Sequence, residues 1–268
     1  MRIICIKVLS RYWYPTRETE ATKVAKALRK VRVAAKQQLS PNMMRLRFGG
    51  TELTDFPTGF DGGYIKLVLN DAEKPAVRSY TVRSFCDESK ELTIDMVAHG
   101  DSGPAASWAN RVQEGAEVEI TDPGACQPIS IDADWFILAG DMSALPAIGV
   151  NLSRLPKDAT GDVVLEVISE KDKIELNIPK GLKVHWVINP DPEAPNSILE
   201  DTVMALPWRN GNVSVWVAGE FSASRTLRQY FRHEQQVHKK NMYVSCYWKV
   251  GETDEGMKAA KRTDVEAW

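Results

Sequence analysis

The amino-acid sequence predicts an all-β unit followed by an α/β unit: a small antiparallel barrel, then a parallel sheet covered by helices. Short runs of β-type composition, punctuated by Gly, Pro, Asn and Asp, fill the first half of the 268 residues. From Trp135 onward the pattern changes to apolar strands alternating with helical spacings. Strands joined by tight turns build antiparallel sheets, whereas strands separated by helices build parallel ones. The change falls near Pro128–Asp132, which divides the chain into residues 1–130 and 131–268.

In chain order, residues 1–30 are an extension with no assigned role, and Ala21–Lys30 in it has helical character. Six β-type runs follow: Val31–Ala35, Met44–Phe48, Tyr64–Leu69, Arg78–Arg83, Leu92–Val97 and Ala116–Ile120. Turn formers separate them, among them Pro41-Asn42, Gly49-Gly50, Gly62-Gly63 and Asp122-Pro123-Gly124. One helix opens near Gly103 and runs through Ala105–Arg111. In the second half, strands are expected at Trp135–Ala139, Val163–Ser169, Val184–Ile188, Val213–Ala218 and Met242–Trp248. Helices are expected at Ala144–Leu155, Asn196–Leu206 and, as one long element, Ser222–His238. The charged tail Glu252–Trp268 reads either as an amphipathic helix over a cleft or as a loose end.

Composition narrows the function. With 34 basic and 36 acidic side chains, the net charge of −2 offers no field for nucleic acid, so an anionic ligand needs a local basic patch. The four cysteines form no C-x-x-C pair and the four histidines show no ligand spacing, so no metal site is expected. His185, inside an apolar strand, reads as core. The apolar stretch Met1–Leu9 is too short to span a bilayer and lacks a cleavage site. A cytoplasmic protein with reduced thiols and no membrane partner is expected.

Two segments of the first half carry chemistry. In Arg78-Ser79-Tyr80-Thr81, alternation puts Arg78 and Tyr80 on one face of a strand. An arginine fork suits a pyrophosphate, a tyrosine packs on an isoalloxazine, and a threonine hydroxyl suits the redox-active N5. An ordinary amphipathic strand fits these four residues equally well. The second segment runs from His99 through Gly100, Gly103, Pro104, Ala105 and Ser107 to Trp108. Its glycines and the helix start after it make an anion seat, or else a tight turn capping a short helix.

Two more segments lie at strand ends of the second half, where open parallel sheets bind ligands. They are Gly140-Asp141-Met142-Ser143-Ala144-Leu145-Pro146-Ala147-Ile148 and Val217-Ala218-Gly219-Glu220. Neither carries the G-x-G-x-x-G fingerprint, so spacing alone does not identify a dinucleotide site.

Together these motifs resemble the siderophore-interacting proteins of the ferredoxin–NADP reductase superfamily. The resemblance joins R-x-Y-T, H-G-x-x-G-P-A-x-x-W-A, G-D-x-S-A-L-P-A-I, W-V-A-G-E and the ending Tyr247-Trp248-Lys249-Val250-Gly251, and spans Val31 to Gly251. It implies a ferredoxin reductase-like fold: an antiparallel flavin-binding β-barrel, then a parallel-sheet nucleotide-binding α/β domain. By that resemblance FAD is held by Arg78, Ser79, Tyr80, Thr81, His99, Gly100, Gly103, Ala105 and Ser107, with Tyr80 and Thr81 at the reacting ring. NAD(P)H is held by Gly140, Asp141, Ser143, Ala144, Ala218, Gly219 and Glu220. The implied activity is FAD-dependent reduction of a ferric siderophore, releasing iron(II), in a monomer fed by NAD(P)H or ferredoxin. A flavin mediates because nicotinamide gives two electrons together and iron(III) takes one. Lys249 and Arg45 are the basic candidates for the siderophore, with Arg225 and Arg228 behind them; each also fits a solvated surface cation. A flavin reductase with another acceptor and a non-enzymatic siderophore-binding module are the alternatives. The donor stays open: after the second α/β strand, Glu170 favours a ribose 2′-hydroxyl and Ser169 a 2′-phosphate.

Overall fold

The protein is described here by a computed structural model covering residues 28–69, 75–98 and 103–266. Seven strands form the first sheet: β1 (Leu28–Ser40), β2 (Met43–Gly49), β3 (Tyr64–Leu69), β4 (Ala76–Thr81), β5 (Ser84–Cys86), β6 (Glu91–Val97) and β7 (Glu117–Thr121). Their order is β4-β3-β7-β1-β2-β6-β5, and every pairing is antiparallel. The sheet curls into a half-barrel because β1 is long and bent. Its first five residues pair with β7 and the rest with β2, with register shifts at Val33/Ala35 and Gln38/Ser40. Bulges of that kind raise local twist and turn a strand around a core. Val31, Val33, Leu46, Phe48, Ile65, Leu67, Leu92 and Ile94 fill the interior, with helix α1 (Pro104–Arg111) closing one end through Ala105, Trp108 and Ala109.

The second sheet has the order β10-β9-β8-β11-β12 and is wholly parallel. Its strands are β8 (Trp135–Gly140), β9 (Thr160–Val167), β10 (Gly181–Ile188), β11 (Val213–Glu220) and β12 (Met242–Trp248). Alternation along β8 serves both faces. Phe136 and Leu138 join α2 (Leu145–Arg154) in one core, while Trp135 and Ile137 join α3 (Ile198–Met204) and α4 (Phe221–Gln229) in the other.

Three expectations need correcting. Leu28–Lys30 belongs to β1, not to a helix, and residues 21–27 lie outside the described residues. The long helix Ser222–His238 stops at Gln229, widens into a π turn over Tyr230–Glu234, and ends where Gln236 takes φ 53°. The left-handed residue lets the Val237 N–H return to the Phe231 carbonyl (2.8 Å). The first sheet has a seventh strand, β5, because the chain breaks at Val82–Arg83 after β4 and re-enters beside β6.

The halves are locked together. Met43, from β2, is buried in the α/β core, with Leu39 and Val97 beside it. Asp172, in the turn after β9, accepts hydrogen bonds from Ser40 Oγ (2.7 Å), Asn42 N (2.9 Å) and Asn42 Nδ2 (2.8 Å) of the barrel. The tail is a helix, α5 (Asp254–Glu266), docked on α4 and β12: Asp264 pairs with Arg225 (3.0 Å) and Arg228 (2.5 Å), and Lys261 Nζ donates to the Cys246 carbonyl (2.8 Å).

Candidate active site

On the barrel side, β4 presents Arg78 and Tyr80 on one face, opposite Leu67 and Ile65 of β3. Tyr80 packs on the barrel core, and burial, opposed by the nearby Arg78 charge, holds its hydroxyl well above the ordinary phenol value. Such a phenol stays a neutral, largely apolar surface, suited to packing on a ring. Ser79 points to solvent on the other face. α1 packs on β3 and β4. It opens at Gly103, whose φ of 116° faces open space, and its first turn has Pro104 and no side-chain cap. Among the described residues no side chain caps the Ala105 and Ala106 N–H groups, which lie beside the Arg78 strand and suit a pyrophosphate. The residues on this side therefore fit FAD. Ala105 is buried against the core, so its contribution is backbone, and Ser107 sits in the second turn. His99 and Gly100 lie outside the described residues.

On the α/β side, Asp141 is the hub. Its carboxylate accepts from Ser143 N (2.8 Å), Ser143 Oγ (2.5 Å), Glu220 N (2.8 Å) and Trp248 Nε1 (2.8 Å). It thereby ties the end of β8 to the ends of β11 and β12. Burial raises its pKa, against the lowering pull of those donors. Two glycines make the approach possible. A Cβ on Gly140 would lie 2.4 Å from the Ala218 carbonyl, and one on Gly219 2.6 Å from Asp141 Oδ2. Glu220 caps α4, its Oε2 accepting from the N–H groups of Ser222 and Ala223. Ala144, buried, starts α2.

The two sides meet at β12. The Tyr247 hydroxyl lies against the Thr81 side chain; burial holds its pKa well above the ordinary value, and Thr81 pulls the other way. Cys126 Sγ sits 3.1 Å from Tyr243 Oη, and Tyr243 stacks on Trp216 at 5.3 Å. Thr81 and Asp141, from different domains, are thus bridged by consecutive residues Tyr247 and Trp248. No motif reading assigned those two a role beyond the family-like ending; the signal was that ending itself.

Two adjoining cavities of about 220 Å³ and 200 Å³ open at the carboxyl ends of the parallel strands, sharing Asp141, Glu166, Pro192, Glu193 and Trp248. Ser143 and Asn189 line the first, Glu200 and Glu220 the second. Burial, opposed by the Asn189 hydrogen bond and aided by the charges of Asp141, Glu200 and Glu220, pushes the Glu166 carboxyl up to about 7.

The basic candidates are dispersed. Lys249 follows β12, with Nζ 3.3 Å from Glu252 Oε1 and 5.8 Å from the Phe221 ring centre. Arg45 forks onto Asp95 (2.6 and 2.8 Å) in a separate cavity of about 300 Å³ between β2, β6 and α2, where Arg83 joins it. Arg225 and Arg228 hold α5 through Asp264.

A curled antiparallel sheet and a parallel α/β sheet, meeting at a cleft with a flavin-type strand on one side, define the architecture of flavin- and nucleotide-binding reductases. The chain belongs to the siderophore-interacting protein family: the siderophore-interacting protein profile matches residues 133–251, and the siderophore-interacting FAD-binding domain matches residues 32–74 and 69–127. The ferric vibriobactin reductase ViuB of Vibrio cholerae serotype O1 is 33% identical over 241 residues, 82% of this chain and 89% of that protein. The ferric acinetobactin reductase of Acinetobacter baumannii is 27% identical over 190 residues, 70% of this chain and 66% of that protein. Among solved structures, the siderophore-interacting protein SipS from Aeromonas hydrophila superposes with a TM-score of 0.79 at 30% identity, covering 90% of this chain and 99% of that one.

Proposed function

We propose that this chain is an FAD-dependent reductase that takes electrons from NAD(P)H or ferredoxin and reduces ferric siderophores, releasing iron(II). The observation that carries the reading is a cavity at the parallel-strand ends that Val97, from barrel strand β6, lines together with Asp141, Ser143 and Trp248. In this reading the flavin seat and the nucleotide seat are two walls of that cleft. Bound there, FAD supplies the step between a two-electron hydride donor and a one-electron iron(III) acceptor.

The chain's own residues orient and exclude. Arg78 and the N-terminus of α1 hold the pyrophosphate charge, and Tyr80 packs on the ring. Thr81, steadied by Tyr247, offers its hydroxyl at the reacting edge. Asp141 fixes Ser143 and Trp248 against the nucleotide. Lys249, half-buried beside Glu252, steers the anionic siderophore, and salt screens that attraction. Reduction alone releases the metal, because hard oxygen donors hold iron(II) far less tightly than iron(III), so no acid–base residue is required. The reading includes a monomer in the cytoplasm. Cys86, Cys126 and Cys246 are unpaired, in keeping with a reducing compartment. No helix among the described residues is long and apolar enough to cross a membrane.

The test is anaerobic. Protein reconstituted with FAD is reduced and mixed with a ferric catecholate siderophore, and iron(II) is trapped by a chelator. Formation of iron(II) at a rate that falls at least about tenfold in Arg78→Ala, with loss of bound flavin, is expected. A chain that takes up no FAD, or a reduced flavoprotein that leaves the ferric complex intact, defeats the reading.

A further inference from the structure

We propose that the nucleotide cavity selects NADH against NADPH, and that Glu166 is the residue that sets the choice. The inference rests on the reductase reading above and names its donor. Ser169 and Glu170, which follow β9, are engaged elsewhere: Ser169 Oγ donates to Asp172 (2.7 Å), and Glu170 pairs with Lys173 (2.6 Å). Glu166 instead lines both cavities, one residue before the end of β9. Asn189 Nδ2 donates to its Oε1 (2.9 Å), which fixes the carboxylate and leaves Oε2 without a protein partner among the described residues.

The surroundings reinforce one sign of charge. Asp141, Glu166, Glu193, Glu200 and Glu220 line the two cavities, and among the described residues no Lys, Arg or His does. Glu200 is only 7% exposed and has no partner among the described residues beyond its own amide. At the helix starts on this sheet end, Glu220 accepts from Ser222 N and Ala223 N of α4, Glu200 lies in the first turn of α3, and Asp141 accepts from Ser143 N just ahead of α2, so a phosphate at any of them meets a carboxylate. A 2′-phosphate brought here meets several acidic groups and no donor of positive charge, whereas a ribose diol meets a fixed carboxylate oxygen able to accept from it. Burial raises the Glu166 pKa, and the charges of Asp141, Glu200 and Glu220 add to it.

The experiment compares NAD⁺ with NADP⁺, so that no turnover is needed. Dissociation constants are measured by isothermal titration calorimetry on the FAD-loaded protein, for the native chain and for Glu166→Gln, Glu193→Gln and Glu170→Gln. The native chain is expected to bind NAD⁺ at least about tenfold more tightly than NADP⁺. Glu166→Gln should shrink that ratio several-fold, Glu193→Gln should shrink it less, and Glu170→Gln should leave it alone. An unchanged flavin spectrum in each variant reports an intact fold. Equal or tighter NADP⁺ binding by the native chain, or a ratio untouched by Glu166→Gln, overturns the proposal. If neither nucleotide binds, yet the dithionite-reduced protein still reduces a ferric siderophore, the donor assignment falls while the reductase reading stands.

Discussion

Asp141 shows what one buried carboxylate does in this cleft. Four donors from three segments converge on it. Asp141→Ala would leave Trp248 Nε1 and Glu220 N without an acceptor, at a cost of about 2–4 kcal/mol. Asp141→Asn keeps the shape, turns one acceptor into a donor, and should weaken NAD⁺ binding by about tenfold, read by the same calorimetry. The pH dependence follows from the raised pKa. A carboxyl harder to ionise in the folded chain lowers stability as pH climbs above its ordinary 3.8, so the Asp141→Asn melting temperature should rise less steeply toward acid than that of the native chain. Asp141 was legible in the sequence because a G-D-x-S turn after an apolar strand is a local pattern. Glu166 was not: it is one charge at the end of the run Val163–Val167, and only the packing of α3 and the turn after β10 turns it inward. Arg45 shows the converse, a cation visible in the sequence whose partner Asp95 is visible only across the β2–β6 pairing.

At the scale of elements, periodicity located nearly every strand, and what it lost were the ends and exceptions. β1 reads as Val31–Ala35 in sequence because its bulges interrupt the alternation that would have shown thirteen residues. The helix after β11 ends early because a π turn keeps helical spacing in composition while widening the backbone. The tail could not be decided from its own residues, since its fate depends on distant partners in α4 and β12. Asp264 is the anchor there, 7% exposed and facing both Arg225 and Arg228. Asp264→Ala should release α5 at a cost of about 1–3 kcal/mol. Limited proteolysis should then cut within residues 254–266 several times faster, with the barrel and parallel sheet left intact. Equal cleavage rates would show that the apolar contact of Met257 suffices.

Across the whole molecule, the junction between the two sheets is expected to make them unfold together. Met43 belongs to a barrel strand but to the α/β core, and Asp172 belongs to the α/β half but accepts from the barrel. Burial alone would raise the Asp172 pKa; the hydrogen bonds from Ser169, Ser40 and Asn42 win and lower it. A carboxylate with a lowered pKa stabilises the fold above its ordinary 3.8, and that contribution is lost as pH falls through the lower folded value. Asp172→Ala should therefore cost about 3 kcal/mol at neutral pH, or roughly 6–10 °C in melting temperature, and less below pH 3. Calorimetry should show one transition for the native chain and a broadened or divided one for the variant. An unshifted single transition would mean that the apolar junction alone couples the halves. None of this was readable from motifs, because residues from distant parts of the chain meet only after both sheets have formed.

The bridge from Thr81 to Tyr247 also bears on how the protein is made. A ribosome delivers the barrel first, yet one wall of the cleft arrives with β12, after every other strand of both sheets. Until then the nascent barrel presents an open seat to the cell with no partner across from it. A flavin seated that early would have no nucleotide wall across from it to feed it electrons.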